Sequence, residues 1–221
     1  MEKIADRLLA VRERIARAAE RAGRDPAGIL LLAVTKIFPA DTLREAYELG
    51  LRDFGENYVQ EFEGKAPLLA DLKDARYHLI GHLQSNKTKK AVELFHVVQT
   101  VDSGKLARRL NESPSPLDVM LEVKLSHEDA KSGADPAELP ELIAAVRACP
   151  NLRLLGLMTM PPWSDDPEAS RGYFRSLREL AEQYGLKHLS MGMSHDLETA
   201  IEEGSTCVRV GTALFGKRKK L

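Results

Sequence analysis

The residues whose types and spacing suit chemistry are a lysine that ends an apolar run and two hydroxyl-bearing, glycine-containing loops near the end of the chain. The run is Leu30-Leu31-Leu32-Ala33-Val34-Thr35-Lys36, with Pro26 and Gly28 before it and Pro39 after it. Five consecutive apolar residues between such breakers read as a strand buried on both faces. Lys36 then stands where the strand emerges. The rim of an apolar core disfavours an ammonium, and a free lysine amine attacks carbonyls to form a Schiff base. The alternative is a lysine whose stem packs on the core while its head reaches water. The first loop is Ser190-Met191-Gly192-Met193-Ser194, two hydroxyls flanking a glycine just ahead of a helix. The second is Arg209-Val210-Gly211-Thr212-Ala213-Leu214-Phe215-Gly216, where glycine lets backbone N–H groups come close to an anion. Read singly, each is an ordinary turn; read together, they form a cup for a phosphate.

The elements between these groups decide whether they meet. Ile4, Leu8, Val11, Ile15 and Ala18 recur at helical spacing, so residues 2 to 22 read as one amphipathic helix ended by Gly23, its arginines on a solvated face. From Lys36 onward a short apolar run, a turn and an amphipathic stretch alternate. Strands are expected at 30–34, 52–54, 77–80, 97–101, 117–125, 152–159, 188–191 and 207–210. Helices are expected over 41–49, from Tyr58 to about 72, 85–94 with Ser85 as N-cap, 103–111, 136–148, 166–184 and 196–203. Eight strands alternating with helices, with no compositional break, predict an α/β fold: one (β/α)8 TIM barrel preceded by an N-terminal helix, with residues 1–221 as a single domain. An open doubly wound sheet is the rival. Barrel closure makes the first and eighth strands neighbours, which brings Lys36 beside the two loops at the carboxyl ends of strands seven and eight, where barrels hold phosphates.

A lysine beside a phosphate cup fits two ligands: pyridoxal 5′-phosphate (PLP), or a sugar phosphate in a Schiff-base aldolase. Arg209 points into the same mouth, where its guanidinium suits the pyridine nitrogen of PLP, a phosphate or a carboxylate.

Composition excludes much else. Lys plus Arg number 32 against 33 Asp plus Glu, a formal net charge of -1, so nothing draws the chain to nucleic acid or to an anionic membrane. The two cysteines, Cys149 and Cys207, lie in apolar surroundings without CxxC spacing, as small buried hydrophobes of a reducing compartment. There is no signal-peptide core and no apolar run near the roughly 20 residues of a membrane span, so a cytoplasmic protein is expected. The histidines lack metal-ligand spacing. Ser85-Asn86-Lys87-Thr88-Lys89-Lys90 concentrates positive charge and reads either as a solvated face or as a secondary phosphate or partner site. Lys217-Arg218-Lys219-Lys220 reads as a solvated tail, and Trp163 as a loop anchor.

The motifs in their order resemble one family. They are Ala33-Val34-Thr35-Lys36, Phe54-Gly55-Glu56-Asn57-Tyr58, His78-Leu79-Ile80-Gly81-His82-Leu83-Gln84-Ser85-Asn86-Lys87 and Lys131-Ser132-Gly133. Gly156-Leu157-Met158, Leu189-Ser190-Met191-Gly192-Met193-Ser194 and Val208-Arg209-Val210-Gly211-Thr212 complete them. The chain resembles the pyridoxal phosphate homeostasis proteins (the YggS-like family), which share the fold of the N-terminal barrel of alanine racemase. The resemblance implies that PLP is the cofactor and that Lys36 carries it as an aldimine, with Asn57 bordering the ring. It further implies that Ser190, Ser194, Gly211 and Thr212 hold the phosphate and that Arg209 faces the pyridine nitrogen. Thr35 stands where many members have serine, and His195 where an acidic residue is common. A guanidinium does not accept the pyridine proton, so the ring is a weak electron sink. Alanine racemase also uses a second β domain, and none is expected in this chain. The expectation is therefore a monomeric binder, carrier or regulator of PLP, with PLP-dependent apo-enzymes as its recipients, rather than an enzyme. Modest racemase activity is the alternative and needs an acid/base group such as Tyr58, His82 or Lys131. The aldolase reading needs carboxylates near the lysine, and Glu56 is the one inside the neighbouring motifs.

Overall fold

The apolar runs form eight strands in the structure, a computed structural model that describes residues 3–126 and 132–216. The strands are β1 (Leu30–Val34), β2 (Asp53–Glu56), β3 (Arg76–Leu79), β4 (Val97–Val101), β5 (Leu117–Glu122), β6 (Leu152–Met158), β7 (His188–Met193) and β8 (Cys207–Val210). The helices are α1 (Ile4–Arg21), α2 (Ala40–Glu48), α3 (Val59–Lys65), α4 (Thr88–Leu94), α5 (Gly104–Leu110), α6 (Leu139–Arg147), α7 (Arg171–Gln183), α8 (Leu197–Glu202) and α9 (Thr212–Phe215). Every strand pairs in parallel with the next in sequence, and β8 returns to β1, so the sheet is a closed barrel. The closing register runs from Leu30 opposite Cys207 to Ala33 opposite Val210. That seam carries both the strand that leads to Lys36 and the strand that holds Arg209. The open-sheet rival falls with it.

Two layers of side chains fill the molecule. Between strands and helices lies a continuous apolar core that includes Leu43, Phe54, Phe62, Leu121, Leu157, Phe174 and Leu177. Inside the barrel Leu32, Val34, Ile80 and Cys207 form a second, small apolar cluster. Polar groups share that interior: His78, Gln99, Glu122, Ser190 and Arg209 are all buried, beside Val97 and Met120.

α1 buries Leu8, Val11, Ile15, Ala18 and Ala19 and packs on α8 and α9. Its arginine face is not wholly solvated as expected, because Arg14 donates to Glu198 at 2.6 and 2.7 Å and Arg21 to Glu202 at 2.9 Å. Ser85 also differs from expectation. It opens a short 3-10 turn, Ser85–Lys87, ahead of α4, and its carbonyl accepts from the Thr88 hydroxyl at 3.1 Å and from Arg109 at 2.6 Å. Two donors on one carbonyl hold the chain in the tighter turn, so the serine side chain does not cap α4. No helix among the described residues is long and apolar enough to cross a membrane.

Candidate functional site

Lys36 lies in a turn directly after β1 and is half-buried. The turn is clamped on both sides. On one side Thr35 is fully buried and its hydroxyl donates to Glu56 Oε1 at 2.8 Å. Lys65, at the end of α3, donates to the Thr35 carbonyl at 3.1 Å, to Glu56 at 3.0 and 3.2 Å and to Glu61 at 2.6 Å. On the other side the Ile37 N–H donates to Glu61. Ile37 has φ of +67°, a left-handed backbone that a β-branched residue adopts only where its surroundings hold it. The strain therefore sits beside Lys36 and is held by Glu61, which the buried Glu56–Lys65 pair anchors through Lys65. Burial pushes the Glu56 carboxyl up from its ordinary pKa, and the Lys65 ammonium opposes that rise. Glu56, the carboxylate expected near the lysine, is thus committed to Lys65. Sequence reading passed over Lys65 because a lysine in the last turn of a helix is usually solvated.

Across the seam, Gly211 packs on β1: a Cβ added there would lie 3.4 Å from the Val34 side chain and from its carbonyl oxygen. Ser194, in the turn after β7, accepts from the N–H groups of Gly211 at 3.3 Å and Ala213 at 3.2 Å. The two expected loops are therefore joined through one hydroxyl oxygen. Both of its lone pairs are used, so its proton is left to donate outward. Thr212 is exposed and begins α9, whose first N–H groups have no partner within the helix. Gly192 makes the approach of this loop possible. Its φ is +89°, a Cβ there would lie 2.4 Å from the Ala200 Cβ, and the β7–β8 register shifts between Ser190 and Met193.

Ser190 is the inward-facing hydroxyl of this loop. It is fully buried, donates to Gln99 Oε1 at 2.6 Å and accepts from Arg209 at 2.8 Å. Arg209 is 3% exposed and also donates to the Thr159 carbonyl, just past the end of β6, at 2.8 Å. Among the described residues no carboxylate lies within ion-pair distance of this guanidinium. Burial pulls its pKa below the ordinary guanidinium value, with Cys207, Asp196 and Glu122 opposing. A guanidinium offers five N–H donors, and two acceptors are in place. The mouth of the barrel thus holds a buried cation with donors to spare.

Glu122, the last residue of β5, is the partner that sequence reading missed. It is 3% exposed and its Oε2 has no hydrogen-bond partner. Burial, reinforced by Asp102 and opposed by Arg209, pushes its carboxyl up to about 7. An orphaned buried oxygen in the same interior as Arg209 calls for a partner that the chain itself does not supply. A glutamate closing a strand has no motif around it, so only burial identifies it.

Asn57 follows β2 and is half-buried. Its backbone lies so close to Gly81 that a Cβ on Gly81 would fall 2.2 Å from the Asn57 carbonyl oxygen. A cavity of about 460 Å³ opens beside it, lined by Asn57, Tyr58, Gly81, His82 and Lys87. Another, of about 420 Å³, lies at the opposite, amino end of the strands, so cavity size does not mark the Lys36 site. Trp163 is 70% exposed and its ring lies 4.9 Å from that of His195, beside Ser194. Lys131 and the basic tail fall outside the described residues.

The structure thus gathers Lys36, Ser194, Arg209, Gly211 and Thr212 around the β1–β8 seam, and Glu122 faces the interior from β5. The family described as alanine racemase, N-terminal domain, matches residues 7–219. Proteins named pyridoxal phosphate homeostasis protein from Pseudomonas aeruginosa and Escherichia coli K12 are 52% and 45% identical to it. Each alignment covers 99% of this chain and, respectively, 97% and 98% of the relative. The chain belongs to the pyridoxal phosphate homeostasis family. The solved structure of PipY from Synechococcus elongatus with PLP bound is 39% identical, with a TM-score of 0.84, covering 97% of this chain and 100% of PipY. Alanine racemase from Corynebacterium glutamicum, at 19% identity and a TM-score of 0.68 over 96% of this chain and 61% of the racemase, shares the fold. For a member of the pyridoxal phosphate homeostasis family, the residues at the barrel mouth fit the cofactor in two respects: a buried donor without an ion-pair partner, and a buried carboxyl oxygen without a hydrogen bond.

Proposed function

We propose that this chain binds PLP at the carboxyl end of its barrel, attaches it through Lys36 and serves as a carrier or regulator in cytoplasmic PLP homeostasis, as a monomer, with PLP-dependent apo-enzymes as recipients. The observation that carries the reading is Arg209, a buried guanidinium at the barrel mouth on the strand paired with β1. When bound, the cofactor supplies an aldehyde that condenses reversibly with an amine, and a phosphate that needs anion partners. The chain's own residues divide the work. Lys36 presents the amine from a turn whose conformation is held by Glu56, Lys65 and Glu61. Ser194 donates its remaining proton toward the phosphate, with the Gly211 and Thr212 backbone beside it. Asn57 borders the ring, Ser190 orients Arg209, and Arg209 donates to the ring nitrogen. A group that only donates leaves that nitrogen unprotonated, which supports holding the cofactor over turning substrates over.

The test is a PLP titration followed by visible absorption, with borohydride reduction and mass analysis of the labelled peptide. The expected result is a saturable band, a label on Lys36, and loss of both in Lys36→Ala. No band in either protein sinks the reading. An equal band in both moves the attachment to another lysine, Lys131 first.

Glu122 favours a second reading, slow racemisation. A buried carboxyl with a pKa of about 7 can hold or release a proton near neutrality. Exchange of the alanine α-hydrogen with deuterated water, present in the wild type and absent in both Lys36→Ala and Glu122→Gln, would establish it.

A further inference from the structure

The barrel interior holds a chain of hydrogen bonds that runs from the amino end of β2 to the cofactor mouth. Its links are Asp53 Oδ1 to His78 Nε2 at 2.8 Å, His78 Nδ1 to Gln99 Nε2 at 3.0 Å, Gln99 Oε1 to the Ser190 hydroxyl at 2.6 Å and that hydroxyl to Arg209 Nη1 at 2.8 Å. Four of its five members, His78, Gln99, Ser190 and Arg209, are each no more than 3% exposed.

Both ends dictate its direction. An arginine only donates and an ionised aspartate only accepts, so every proton between them points from Arg209 toward Asp53. Asp53 accepts from His78 Nε2–H. Burial lowers the pKa of His78, and in the neutral ring Nδ1 is then a bare acceptor. The Gln99 amide N–H must face it, which turns Gln99 Oε1 toward Ser190. Ser190 has to give its proton to that oxygen, and its lone pair then accepts from Arg209. One choice, made at Asp53, sets the orientation of four side chains on four other strands. Arg209 is left unable to rotate without breaking the chain.

We propose that Asp53, His78, Gln99 and Ser190 are positioning residues that form a one-directional hydrogen-bond relay, locking Arg209 as the donor to the cofactor's ring nitrogen. This rests on the reading of the barrel mouth as a PLP site. It gives Ser190 a task other than phosphate binding, and it gives the polar interior a purpose that stability alone does not supply. His78 and Gln99 also line the cavity of about 420 Å³ at the amino end of the barrel, so the relay spans from one end of the barrel to the other.

The experiment compares PLP affinity and the position of the visible band in wild type, Gln99→Met, His78→Leu and His78→Gln, with circular dichroism confirming the fold. Gln99→Met conserves volume but neither accepts from Ser190 nor donates to His78. Losing the directed bonds is expected to weaken PLP binding about tenfold and to move the band. His78→Leu shifts both in the same direction. His78→Gln restores the order, accepting from Gln99 and donating to Asp53, and recovers most of the loss. A wild-type affinity and band position in Gln99→Met, with only thermal stability reduced, overturns the relay while the PLP reading stands. Absence of any band in the wild type overturns the PLP reading itself. If Gln99→Met does not fold, Ser190→Ala, which removes one hydroxyl, decides by the same two measurements.

Discussion

The two cores of this barrel follow opposite rules. Outside the sheet, Phe54, Phe62, Leu157 and Phe174 belong to an apolar core in which the buried Tyr77 hydroxyl lacks a hydrogen-bond partner. Inside it, a four-residue apolar cluster shares the space with a histidine, a glutamine, a glutamate, a serine and an arginine. Burying such groups is unfavourable unless each is hydrogen-bonded, and here one carboxyl oxygen is not. The difference separates two tasks: the outer core holds the fold together, and the inner one gives up apolar burial to keep donors and acceptors aimed at the mouth.

The largest effect expected to break this comparison is on stability. Phe174 is fully buried in the outer core, and Phe174→Ala should cost about 3–5 kcal/mol of unfolding free energy in a denaturant titration. The remaining folded protein should bind PLP as before; a large loss of affinity there would mean that the outer core also shapes the site. Arg209→Met in the inner core should behave in reverse. Loss of a charge-assisted bond weakens PLP binding about tenfold to hundredfold. The melting temperature should move little, because removing a buried charge offsets the loss of its bonds to Ser190 and Thr159. A collapse in stability with unchanged affinity would make Arg209 a structural residue.

The third effect, on Glu122, depends on pH. Its pKa rises from an ordinary 4.5 to about 7 on folding, so between those values the folded state binds the extra proton and stability falls as pH rises. Glu122→Gln removes that dependence. The variant's melting temperature should approach the wild-type value near pH 4 and exceed it increasingly up to about pH 7, then level off. A difference that stays constant across this window would show that folding leaves the Glu122 pKa at its ordinary value.

Much of the fold was legible because it repeats. The eight runs at 30–34 through 207–210 predicted the strands to within a few residues at most ends. The larger difference is β5 ending at Glu122 rather than at 125, because beyond it Val123 and Lys124 turn to pair with Ala134. The site was legible in part: Lys36 and the loops holding Ser194 and Gly211 have turn chemistry that shows in sequence. Ser190 and Ser194 read alike in the sequence, as two hydroxyls flanking a glycine, but a register shift between Ser190 and Met193 separates them and Ser190 is fully buried. Gln99 and Glu122 lack any local signature, because a polar residue in a strand reads as solvent-facing until closure puts it inside; Lys65, in the last turn of α3, reads as solvated for the same want of tertiary context.

The sequence by itself determined the alternation that closes a barrel, the lysine at the end of β1 and the loops that meet it, since each depends on the periodicity and turn residues of a short segment. The tertiary structure alone decided which polar groups satisfy one another. Ser190 and Gln99 lie 91 residues apart and meet at 2.6 Å; Lys65 and Thr35 lie 30 apart and meet at 3.1 Å. Periodicity reports which face of its own element a side chain occupies. Its hydrogen-bond partner stands on another strand, selected by register and closure, and those arise only when all eight strands are in place.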